Sequence, residues 1–145
     1  MKRLVLAITA LIVSAGVFAQ EATVKKTDDF VKFKELKHDF GKIKQGVPVT
    51  FDFAFANISD KPIVIETATA SCGCTTPSWP QAPVAKGKDD KITAGFNAQV
   101  LGPFSKTITV KVAGLDQPVQ LNIVGEVLTA EDYAKFEKEK GSKKS

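Results

Sequence analysis

Val47-Pro48-Val49-Thr50-Phe51-Asp52-Phe53-Ala54-Phe55-Ala56-Asn57 is the stretch whose reading decides the fold. Val47, Val49, Phe51, Phe53 and Phe55 fall on one parity, and Thr50, Asp52, Ala54 and Ala56 on the other. Successive side chains of a strand leave on opposite faces, so this period predicts a strand with one face in a core. Working outward, residues 30–40 carry an imperfect first strand pattern closed by Gly41. Residues 57–62 are turn chemistry, and residues 63–70 read as a third strand running directly into Ser71-Cys72-Gly73-Cys74. Pro77, Pro80, Pro83 and Gly87 are expected to break any regular element between Thr75 and Asp90. Period two returns at Ile92, Ala94, Phe96 and Ala98, and again at Phe104, Ile108, Val110 and Val112. After a turn at residues 114–118, Val119, Leu121, Ile123 and Val127 mark a last strand.

Short strands separated by frequent turn signals predict an all-β sandwich or barrel. No helical crossover separates them, which argues against a parallel α/β sheet. The alternating phenylalanines would supply two inner faces packed about 10 Å apart. Thr129-Ala130-Glu131-Asp132 resembles a helix start with an acidic first turn. Tyr133 and Phe136 would pack one short helical turn on the body, with a frayed, disordered tail up to residue 145. The expected organisation is a signal peptide at 1–19, a polar linker at 20–29, the β-domain at 30–128 and a short helix and tail at 129–145.

The signal reading rests on the first residues. Lys2 and Arg3 form a positive start, residues 4–13 are apolar apart from Thr9, and Val17 and Ala19 stand where a cleavage site wants small residues. The apolar run falls short of the roughly 20 residues a membrane span needs. No cysteine follows it to carry a lipid anchor, and no second run of membrane length appears. A periplasmic or secreted protein is therefore expected, where disulfides persist. Removing residues 1–19 leaves 126 of the 145 residues, enough for one core. It also leaves 18 basic residues against 16 acidic ones. That balance, with no basic stripe interleaved with aromatics, gives no support to nucleic-acid binding.

The chain also carries a family resemblance. The residues are His38-Asp39-Phe40-Gly41-Lys42-Ile43, the strand from Val49 to Asn57, Ser71-Cys72-Gly73-Cys74-Thr75-Thr76-Pro77, and Gly102-Pro103-Phe104-Ser105-Lys106-Thr107-Ile108-Thr109-Val110. Over residues 31–128 it resembles the exported bacterial proteins grouped as the domain of unknown function numbered fifteen seventy-three. That group is similar to immunoglobulin-like domains of the cilia and centrosome type (ASPM–SPD-2–Hydin). The resemblance implies an immunoglobulin-like β-sandwich of about seven antiparallel strands in Greek-key order, and it implies no catalytic residue.

Cys72 and Cys74 are the only cysteines, and they leave several readings open. An extended backbone sets two such Cα atoms about 7 Å apart, whereas a disulfide prefers about 5.5–6 Å. A bridge would therefore need a bend, which Gly73 permits. It closes three residues, worth only about 1.6 kcal/mol in the chain-entropy account. A zinc site wants four ligands, and only His38 stands beyond the pair. Two thiolates suit Cu(I), with His38 a remote third ligand. Cys-x-Cys is not the Cys-x-x-Cys redox motif, and no thioredoxin-like βαβ pattern surrounds it. Plain packing beneath the Pro-rich loop is the fourth reading.

The other candidates are weaker. Asp39, Asp52 and Glu66 show no spacing of paired acid and base, and there is no phosphate loop or nucleophile elbow. Trp79, between prolines, reads as loop packing before partner anchor. Asn57-Ile58-Ser59 matches a glycosylation acceptor at a strand end, to which no role is given. The functional expectation is an exported binding module for an unknown protein partner, without cofactor and without enzymatic activity. Recognition would fall to residues 72–84 or to an exposed sheet edge. The alternative is a thiol-based copper or redox protein using Cys72 and Cys74.

Overall fold

The structure, a computed structural model, describes residues 26–142. The expected signal peptide lies outside the described residues, as does most of the expected linker. The part of that linker within them is packed. Thr27–Asp29 forms a 3-10 turn, Thr27 is buried, and its hydroxyl donates to the Gln117 carbonyl.

Eight strands follow: β1 (Val31–Phe33), β2 (Lys37–Lys44), β3 (Val49–Asn57), β4 (Ile65–Ala70), β5 (Thr75–Ser78), β6 (Asp89–Phe96), β7 (Gly102–Val112) and β8 (Val119–Leu128). They form two four-stranded sheets, β1-β3-β6-β5 and β2-β8-β7-β4. Only β5–β6 and β7–β8 are both consecutive and paired, so the chain repeatedly crosses between sheets. This is the expected sandwich. Phe53, Phe55, Ile92, Ala94, Ile108, Val110, Leu121 and Ile123 meet between the sheets, essentially without solvent contact.

Three details of the strands depart from the sequence reading. The run over residues 30–40 is not one strand. β1 ends where the Lys34 amide donates to Ala54 O, and β2 begins beside Leu36, whose carbonyl accepts from the Asn122 amide. The chain has by then changed sheets, so β2 lies alongside β8 in the same direction. The sandwich is therefore antiparallel except for this pair. Second, the Pro-rich region does hold a strand: β5 pairs with β6, with Pro77 opposite Ala94. β5 is an edge strand, where a residue without an amide hydrogen is tolerated. Third, Val47, placed on the core parity, lies outside β3 and is 48% exposed.

The His-Asp-Phe-Gly segment makes a bulge in β2 between Asp39 and Lys42. Asp39 Oδ1 accepts the Gly41 amide at 2.8 Å, and Gly41 adopts φ +66°. The bulge carries the Gly41 carbonyl toward β8 at Gly125. A Cβ on Gly125 would stand 2.8 Å from that carbonyl oxygen and 2.8 Å from the Phe104 ring. Gly125→Ala is therefore expected to cost about 1–3 kcal/mol by overpacking, since a backbone carbonyl is one of the two obstacles. Urea denaturation measures it, and an unchanged midpoint would contradict this packing.

Ala130–Ser142 forms helix α1, three turns where one short turn was expected. Thr129 Oγ1 accepts the Asp132 amide, a cap that the Thr-Ala-Glu-Asp signal announced. Glu131 and Lys135 pair along its surface at 3.0 Å. The helix touches β2 and β8, with Lys42 Nζ 5.2 Å from the Phe136 ring centre. No helix among the described residues is long and apolar enough to cross a membrane.

Candidate functional site

β4 is an edge of one sheet and β5 an edge of the other, so residues 71–74 carry the chain across the end of the sandwich. Cys72 and Cys74 lie in that crossing and are joined by a disulfide, with Cα atoms 5.4 Å apart. The bend required for a bridge is supplied by a turn in which the Thr75 amide donates to Cys72 O at 3.3 Å. Hydrogen bonds anchor the crossing to both sheets. The Ser71 amide donates to Thr107 O at 2.9 Å, and the Thr107 amide donates back to Ser71 Oγ at 3.2 Å. On the other side the Asn97 amide donates to Cys74 O at 3.1 Å.

That last bond leads to a feature the sequence reading passed over. Residues 97–101 connect β6 to β7 beside the disulfide. Ala98 is fully buried at φ +52°, the left-handed region that costs a non-glycine residue about 1–2 kcal/mol. Its carbonyl accepts the Gly46 amide at 2.9 Å, and the Gln99 carbonyl accepts from Gln45 Nε2 at 2.9 Å. The held loop presents Val100 and Leu101 to solvent, 76% and 47% exposed. Beneath them is a cleft of about 130 Å³ that also takes in Cys74, Phe96, Phe104 and Lys106. The signal in the sequence was two successive apolar residues that break the alternation just before Gly102-Pro103.

The remaining candidates lie elsewhere. His38 is on β2 and the cysteines follow β4, at opposite edges of one sheet with two strands between them. Three strand spacings amount to about 14 Å, so His38 does not join the sulfurs. Its ring stacks on Phe51, centroids 3.5 Å apart, and meets Phe40 edge-on at 4.7 Å. Its polar neighbour Glu35 stands 4.0 Å from Nδ1, beyond hydrogen-bond distance, so stacking holds the ring. Among the described residues no group of three or more His, Cys, Asp or Glu side chains comes together to hold a metal. A thiolate copper site would further require the two sulfurs to be unbonded from each other.

The carboxylates are taken up by local contacts. Lys91 Nζ lies 2.6 Å from Asp52, and Thr93 Oγ1 donates to the same group at 2.6 Å. The hydrogen bond from Lys91, with that from Thr93, holds the Asp52 carboxyl below its ordinary range. Glu66 pairs with Lys111 at 2.9 Å, and Asp39 serves the β2 bulge. Trp79 is partly buried against the core, as its packing reading required.

Two packed four-stranded sheets between which the chain repeatedly crosses form an immunoglobulin-like sandwich. The chain belongs to the family described as protein of unknown function (DUF1573), whose model matches residues 31–127. Solved structures agree on the fold. The ASH/PapD-like domain 7 of human CEP192 is similar at 9% identity and a TM-score of 0.60, over 86% of this chain and 98% of that one. A protein of unknown function from Porphyromonas gingivalis W83 is similar at 12% identity and a TM-score of 0.59, over 67% of this chain. The match spans 46% of that longer Porphyromonas chain. The secreted serine protease VesC from Vibrio cholerae is similar at 12% identity and a TM-score of 0.55, over 70% of this chain and 24% of that chain. No curated protein matches the sequence.

Proposed function

We propose that this protein is an exported, non-enzymatic interaction module that binds a protein partner through the disulfide end of its sandwich. The observation that carries this reading is the pair Val100 and Leu101, apolar and exposed on a loop that is hydrogen-bonded into a strained conformation. Folding alone gives no return on displaying two apolar side chains there. A preorganised loop loses little entropy on docking, and backbone strain gathers at working surfaces. The partner chemistry that fits is an apolar side chain entering the cleft between Leu101 and Phe104, with an acidic neighbour facing Lys106. Export is supported by the basic, apolar and small-residue order of the first nineteen residues.

A photo-cross-linking residue placed at Leu101 in the cell envelope tests both parts. A discrete protein adduct is expected there and not from the same residue at Thr109, on the polar outer face of β7. Val100→Asp should reduce capture by about ten-fold or more, since burying one such side chain is worth about 1.5–3 kcal/mol and 1.4 kcal/mol is a factor of ten. Equal adducts from Leu101 and Thr109, or none from either, would overturn the reading. Retention of the protein in the cytoplasm would overturn export.

A further inference from the structure

We propose that the Cys72–Cys74 disulfide is a thiol–disulfide exchange site that takes two electrons from a cysteine pair of another exported protein, with attack at Cys74 and departure of Cys72. Four observations carry this. The bridge adds little constraint, because it closes a loop of three residues. Its structural work is already done by others: the Ser71–Thr107 pair of bonds, the Asn97 amide on Cys74 O and the Thr75 amide on Cys72 O hold the crossing without it. The bond can therefore open while the two sheet edges stay joined. Both sulfur-bearing residues are partly exposed, and beside Gly73, between them, a Cβ would meet nothing within 4 Å. A partner backbone has room to approach.

The two sulfurs also differ in surroundings. Cys74 lines the apolar cleft together with Lys106, whose cationic group favours an incoming thiolate. Cys72 Sγ lies 3.8 Å from Oγ1 of Thr75, a buried hydroxyl placed to donate a hydrogen bond to the negative charge that develops there. A stabilised leaving thiolate departs faster. Thr75 is thus a positioning residue.

A partner thiol loses its proton to solvent and its sulfur bonds to Cys74 Sγ as the Cys72–Cys74 bond breaks. Cys72 leaves as a thiolate and takes a proton from solvent. The second partner thiol then loses its proton to solvent and attacks the partner sulfur of the mixed disulfide, and Cys74 departs as a thiolate that takes a proton from solvent. The partner dithiol has become a disulfide, and the Cys72–Cys74 pair has gained two electrons and two protons.

The test uses the full chain, oxidised, and a reduced peptide carrying a Cys-x-x-Cys pair. About one disulfide equivalent should pass to the peptide. Excess dithiothreitol should free both thiols while the far-ultraviolet circular dichroism of the sandwich persists. Cys72→Ser, offered the oxidised peptide, should accumulate a mixed disulfide at Cys74 about ten-fold faster than Cys74→Ser does at Cys72. In the reduced protein, Thr75→Val should move the alkylation profile of Cys72 to higher pH, and Thr75→Ser should restore it. No transfer to the peptide, unfolding on reduction, equal trapping at both cysteines, or an unmoved Thr75→Val profile would each overturn the proposal. These readouts are independent of Val100, so failure of the docking surface and failure of exchange remain distinguishable.

Discussion

Phe53→Ala is expected to lower the unfolding free energy by about 3–5 kcal/mol, the range for truncating a fully buried phenylalanine. Phe53 is 0% exposed at the middle of β3, opposite Ile92 in β6. Its ring meets Phe51 edge-on at 5.0 Å. The surrounding side chains come from strands tied into two sheets, so the cavity left by the ring cannot easily collapse. A typical domain is stable by about 5–15 kcal/mol, so one substitution removes a large share. The urea midpoint should fall with its slope unchanged. Thr50→Ala, on the outward parity of the same strand, should stay within about 0.5 kcal/mol. Similar losses at both positions would mean that the two faces of β3 are not distinguished by burial.

The second large effect belongs to Asn57. It is 1% exposed, and its amide joins three segments of chain. Nδ2 donates to Lys61 O at 2.8 Å and to Val84 O at 2.9 Å. Oδ1 accepts the Ser59 amide at 3.0 Å and the Ser59 hydroxyl at 2.7 Å. Asn57→Ala should cost about 2–3 kcal/mol: water can replace the partners at Lys61 and Ser59, while the bond to Val84 is buried. Asn57→Asp should cost more at neutral pH, because a carboxylate would face two carbonyl oxygens away from solvent. Burial of that carboxyl would raise its folded pKa above its unfolded value. The folded state then binds the extra proton, so the variant should lose stability as pH rises through that window and recover it in acid. Denaturation at pH 4 and pH 7 checks this, and an Asp variant as stable as wild type at pH 7 would sink the account.

Asn57 also shows where sequence reasoning runs short. Asn-Ile-Ser reads as turn chemistry at a strand end and as an acceptor motif, and nothing local reveals that the amide is enclosed. Its partner Val84 is 27 residues away. The strand pattern from Val49 onward was legible because burial imposes a period of two wherever one face meets a core. The split at Lys34–Leu36 was not, because both halves keep the alternation while their partners lie in different sheets. β5 was hidden by Pro77, whose lost hydrogen bond is costly in a central strand and tolerated on an edge. The candidate site was half legible: Cys72 and Cys74 are visible as a pair, whereas Val100 and Leu101 look like ordinary loop residues.

Periodicity by itself determined an all-β sandwich or barrel, most of its inward-facing residues and the capped start of the last helix, because each follows from local geometry and from the sequestering of apolar surface; the family resemblance singled out the immunoglobulin-like sandwich. Residue spacing also determined that a bridge between Cys72 and Cys74 would need a bend at Gly73 and would add little stability. Only the tertiary structure decided that this bridge sits where the chain changes sheets, that His38 stands across the sheet from it, and that a strained loop brings Val100 and Leu101 to its side. Those are facts of strand order and of contacts between residues far apart in sequence, and no local pattern encodes which edges meet at the end of a sandwich.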